Sequence, residues 1–159
     1  MNKFLLAVHV LAAIVAAGPV TVAASMFPPS VRKALAEPGD AQALSTVRVL
    51  HGICRVYATV GVAVPVFGFA TAKNMGVLGD TWLIVSIALT TLAAVVLAAL
   101  VLPRQTALME GMGNIGNSGA GEAARRATGR LAMFTGLFNL LWATVTILMI
   151  VRPGSTTGA

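Results

Sequence analysis

The chain has 159 residues, 57% hydrophobic, 10% charged and 6% aromatic, with a mean hydropathy of +0.88. Soluble domains carry about 25% charged residues, so the polar surface is too small to wet a soluble globule, which excludes a secreted enzyme, a disordered tail and a disulfide miniprotein. Lys and Arg number 11 against 5 Asp and Glu, a net charge of +6. The basic residues stand at the ends of apolar runs without aromatic interleaving, the pattern of membrane topology signals and not of a nucleic-acid footprint.

Crossing about 30 Å of hydrocarbon takes about 20 apolar residues in a helix. The chain offers four such runs, at 4–24, 49–72, 82–102 and 131–151. They predict an all-α fold, a four-helix transmembrane bundle forming one integral domain over 1–159.

The first run follows Lys3, contains His9 and Pro19, and closes on Val22-Ala23-Ala24. That ending resembles a signal-peptide cleavage site, but the apolar stretch is longer than the usual 7–15 residues of a signal core, so it is read as a retained helix. Beyond it, Pro28-Pro29-Ser30 is expected to open a short helix through Ala36, which Glu37-Pro38-Gly39-Asp40 ends. Asp40 then suits the N-cap of a helix running into the second span.

Arg48, His51 and Arg55 lie on that second helix at spacings that put them along one side. Arg55 is about 9 Å deep at ~1.5 Å per residue. It can snorkel to the headgroups, or with Arg48 hold an anion: a lipid phosphate, a haem propionate or an acidic group of a partner subunit. Pro65 lies in the same span, near Gly61 and Gly68. A membrane proline leaves a carbonyl that neighbouring groups must satisfy, so Pro19 and Pro65 are candidates for kinks around a ligand or for setting bundle packing. The chain's one cysteine, Cys54, excludes an intrachain disulfide and a CxxC motif.

The third span carries no charged residue. After it, Gly111 to Gly121 is rich in glycine and reads as a mobile loop. Gly111-x-Gly113-x-x-Gly116 matches a dinucleotide-binding fingerprint in its letters, but the strand that the chemistry needs before it is missing. Glu122 and Arg126, at i,i+4, start a helix leading into the fourth span. Asn139, in the middle of that span, suits an interhelical hydrogen bond.

Counting Lys and Arg gives three on one side (Lys3, Lys73, Arg152) and seven on the other (Arg32, Lys33, Arg48, Arg104, Arg125, Arg126, Arg130). The basic side is expected to be cytoplasmic, with two cytoplasmic loops and both termini outside.

His9 and His51 are the only histidines, and an ionisable side chain at membrane depth is a functional candidate. Two such histidines suggest axial ligands of a haem b. Their helices enter from opposite sides, which leaves about 17 Å of axial separation in a ~30 Å core, so one iron is not expected to take both. Either can ligate a haem alone or with a partner chain, or serve as a neutral imidazole hydrogen-bonded to a neighbouring helix. No residue set for a catalytic site or a metal-hydrolase centre is found.

The opening Phe4-Leu5-Leu6-Ala7-Val8-His9-Val10-Leu11, the basic stretch before the second span, and the closing Leu148-Met149-Ile150-Val151-Arg152-Pro153 resemble a bacterial integral membrane family, domain of unknown function 2269. The chain is more distantly similar to copper-resistance D and HemJ-type membrane proteins. In the latter a first-helix histidine is associated with haem b, and the resemblance gives that place to His9. After the histidine the chain reads Ala16-Ala17-Gly18-Pro19, where relatives often carry an aromatic residue and a glycine. The expected function is a non-catalytic accessory or scaffold component of a membrane assembly in the bacterial cytoplasmic membrane. Its partners would be lipids and other membrane subunits or further copies of itself. The alternative is a haem b- or quinone-associated redox protein.

Overall fold

The computed structural model describes residues 2–112 and 120–154. These residues are helical and turn, with no strand among them. The elements are α1 (Asn2–Ala36), α2 (Ala41–Val60), α3 (Ala63–Met75), α4 (Thr81–Val95), a π-helical turn (Val96–Val101), α5 (Leu102–Met112) and α6 (Ala120–Val151). Four rods, Lys3–Ala36, Ala41–Met75, Thr81–Met112 and Gly121–Val151, are long and apolar enough to cross a membrane. Apolar side chains such as Phe4, Leu11, Ile14, Ile84, Leu140 and Ile150 are exposed along them, as a lipid-facing surface requires.

The rods outrun the apolar spans at the basic end of the bundle. The expected long loops there are mostly helix. Pro28 and Pro29 do not open a new helix but lie inside α1. Burial explains the continuation. Val20, Ala23, Ala24, Phe27, Val31 and Ala34 recur at helical spacing and are buried. They pack with Ala43, Val47, Leu50 and Cys54 of α2 in the main core. Packing of one face outweighs the local penalty of the proline pair. The connection to α2 is only the turn at 37–40, and Asp40 caps it: its carboxylate accepts from the amides of Gln42 (2.9 Å) and Ala43 (3.1 Å). In the same way α5 continues to Met112 and α6 begins at Ala120. The glycine-rich stretch is therefore helical at both of its ends, and residues 113–119, with Gly113 and Gly116, lie outside the described residues.

Two breaks shape the rods. Pro65 has no amide for the carbonyl of Gly61, which instead accepts from Val64 (3.1 Å). The helix breaks at Gly61-Val62, one turn before the proline, where such kinks form. Pro19 gives no such break. In the third rod, buried Leu97, Val101 and Gln105 follow one another at intervals of four. That interval drifts off the face of a 3.6-residue helix. The π turn absorbs the drift, with the Leu102 amide reaching back to the Leu97 carbonyl.

α1 packs along α2 and α3 on one side and α6 on the other, and α6 in turn packs on α4 and the π turn. α2 meets α5 at the basic end, closing the bundle there. At the opposite end a small cluster of Ala72, Trp82 and Leu83 is joined by Val77 and Met149. Trp82 donates to Asp80 (3.0 Å), and the Arg152 guanidinium lies 5.8 Å from the Trp82 ring.

Candidate functional site

The polar side chains inside the rods fall into three clusters at different levels. Nearest the termini is His9, 8% exposed, whose Nδ1 lies 3.1 Å from the carbonyl oxygen of Val64 on α3. A carbonyl can only accept, so Nδ1 carries the proton and Nε2 keeps its lone pair. The ring lies against Gly68: a Cβ at that glycine would stand 2.8 Å from His9 Cε1. The Pro65 break therefore sits beside the carbonyl that His9 binds, and Gly68 makes room for the ring.

The second cluster joins α2 to the third rod. His51 Nδ1 lies 3.0 Å from Gln105 Oε1, and Gln105 Nε2 donates to Cys54 Sγ at 3.6 Å. Gln105 and Cys54 are both fully buried. The π turn just before Gln105 aims that side chain at α2. Arg48 and Arg55 do not share His51's direction: both stay exposed while His51 turns inward. Arg48 lines an open groove of about 270 Å³ with Leu44, Val47, Met109 and Glu110. Arg104, next to Gln105, stacks 4.2 Å from the Phe134 ring and donates to the Leu100 carbonyl.

His9 lies level with residue 64 and His51 is thirteen positions earlier on the same rod. At ~1.5 Å per residue they are about 20 Å apart along the bundle, and the structure does not bring them together. Among the described residues no three His, Cys, Asp or Glu side chains gather as a metal site.

The third cluster lies between α1 and α6. Asn139 Nδ2 donates to Ser25 Oγ (3.0 Å). Asn139 Oδ1 and the neighbouring Thr135 Oγ1 are buried without a partner. Gln105, Ser25 and Thr135 are not singled out by reading the chain alone, and Gly68 stands out there only as a neighbour of Pro65. The fours in the third rod were a visible signal for Gln105, whereas the others depend on which helices meet.

A family described as "Predicted integral membrane protein (DUF2269)" matches residues 3–153. No curated protein and no solved structure matches the chain. With nearly its whole length covered, the chain belongs to that family of multi-pass integral membrane proteins.

Proposed function

We propose that this member of the family is a non-catalytic scaffold component of a larger assembly in the bacterial cytoplasmic membrane. The observation that carries this reading is the packed helical extension at the basic end. There α1, α2, α5 and α6 continue past the apolar spans around a shared core that includes Phe27, Val31, Val47, Leu108 and Leu131. The extension presents exposed Arg125, Arg126 and Arg130 on α6. A rigid platform with outward arginines suits an acidic surface on a partner subunit. The interior polar groups support the same reading, since His9, His51 and Asn139 hold helices to one another.

The test is extraction in a mild detergent followed by sizing. The chain is expected in a complex larger than itself, and Arg125→Glu with Arg130→Glu should release it while leaving its thermal midpoint unchanged. A chain that runs alone overturns the scaffold reading.

A second reading, a haem b- or quinone-associated redox protein, draws on the tautomers of the histidines. Gln105 holds the proton of His51 on Nδ1, the outer contact that leaves Nε2 as a ligand atom for iron. Arg48 and Arg55 on the same helix are candidates for propionate or other anionic groups. The Val64 carbonyl does the same for His9. A visible spectrum of protein from haem-replete cells tests it. A Soret band lost in His51→Ala or His9→Ala names the ligand, and no band in the parent protein ends the haem reading.

A further inference from the structure

Where α2 and α5 meet at the basic end they leave the open groove of about 270 Å³ that Arg48 lines. Its apolar surface comes from Leu44 and Val47 of α2 and from Met109 and Met112 of α5. Leu44 and Val47 precede the apolar span of 49–72, and Met109 and Met112 follow that of 82–102. The groove therefore lies on the water side of the hydrocarbon, where lipid tails do not cover it. An apolar surface left open there marks a protein contact, and methionine suits one because its side chain adapts to what it meets.

The two walls carry opposite charges. Arg48 stands on the α2 wall and Glu110 on the α5 wall. Both are exposed, and the ion pair found among the described residues joins Arg126 to Glu122, not these two. Their heights follow from the contact of His51 with Gln105, which sets α2 and α5 level at those residues. Arg48 is three residues before His51 and Glu110 five after Gln105, both toward the basic end. At ~1.5 Å per residue those offsets are about 4.5 and 7.5 Å, so the two charges differ in height by only about 3 Å.

We propose that this groove is filled by the same groove of a second copy, so that the chain forms a two-fold dimer along its α2–α5 edge. Copies inserted the same way up are related by a two-fold only when its axis lies along the membrane normal. Such an axis keeps every residue at its own height and sets α2 of one copy against α5 of the other. Arg48 of each copy then faces Glu110 of the other, and both pairs form at once. Two walls of one sign would repel their own copy; one wall of each sign attracts it. Arg55, two turns deeper on α2, is not part of the lining and keeps its reach to the headgroups. The dimer uses the α2–α5 edge and the scaffold reading the arginines of α6, so either can fail without the other.

The experiment is native mass spectrometry of the purified full chain released from mild detergent, where the parent should appear as a dimer. Arg48→Glu and Glu110→Arg each turn two attractive contacts into two repulsive ones. Each variant alone should dimerise about tenfold more weakly. An equimolar mixture of the two should recover the parent's affinity as a heterodimer, because both of its contacts are again between opposite charges. Both positions are exposed, so the thermal midpoints should stay at the parent value. Arg55→Glu, the same change of charge outside the groove, should leave the dimer in place. A monomeric parent, single variants that dimerise like the parent, a mixture as weak as its components, or an equal loss in Arg55→Glu overturns the proposal.

Discussion

His9 and Gly68 form a contact in which a glycine stands where it does for space and not for backbone freedom. Gly68 is an ordinary helical residue, and the obstacle to a larger side chain is the imidazole 2.8 Å from where a Cβ would be. Gly68→Ala must push the ring off the Val64 carbonyl or separate α1 from α3. The expected loss is about 1–3 kcal/mol, read as a lower thermal midpoint in detergent. In a His9→Ala background the same substitution should cost close to nothing, because the atom it collides with is gone. Additive losses in the double variant would show that the two residues are not coupled. The sequence marked His9 as a polar group needing a partner at depth, but it could not show that the partner is a carbonyl beside a proline break. That pairing joins residues 55 positions apart and leaves no local signature.

At the scale of the element, hydropathy located the four spans, since a run of about 20 apolar residues needs no tertiary information to be recognised. It did not locate the ends of the rods. At Pro28-Pro29 the local chemistry points to a new start, yet burial of Val31 and Ala34 carries α1 on. Pro65 shows the opposite case, a breaker that does break its helix. Pro65→Ala restores an amide for the Gly61 carbonyl and should straighten the second rod. Spin labels on Thr46→Cys and Asn74→Cys, with buried Cys54 silent, measure this. A straight rod would place the two backbones about 42 Å apart, from 28 residues at ~1.5 Å each. The parent should give a shorter distance than the variant, and equal distances would show that Gly61-Val62 is not a bend. Straightening also moves the Val64 carbonyl away from His9, so the variant should lose stability although it gains a helical bond.

For the whole molecule, an even number of spans puts both termini at one end, and from the seven-to-three distribution of Lys and Arg we propose that the other end faces the cytoplasm. Two exposed turns report on this: 37–40 at the basic end and 76–80 at the terminal end. In intact cells an impermeant maleimide should label Gly79→Cys at once and Glu37→Cys only after lysis. The reverse pattern would invert the bundle in its membrane. The same asymmetry appears in the packing. The main cluster of buried residues draws on α1, α2, α4, the π turn, α5 and α6 toward the basic end, while the terminal end is held by the small cluster around Trp82. Composition had announced a lipid-hosted bundle but not which end is solid, because residues at 25–36 and 103–112 mix charge and apolar surface too evenly to be sorted without their neighbours.

The π turn at Val96–Val101 amounts to one inserted residue, and it sets how the chain's length can vary. Everything downstream of it is rotated by about 100° relative to an unbroken α-helix. That rotation is what brings Gln105 opposite His51 and Leu108 into the core. A relative that closes this turn as ordinary helix must therefore be one residue shorter between Trp82 and Arg104 to keep the same partners, and a one-residue gap is the natural way to align the two chains. Deleting a single alanine here should close the turn to ordinary α-helix and keep Gln105 opposite His51, whereas inserting one would leave composition and hydropathy almost untouched yet turn α5 by about a further 100°.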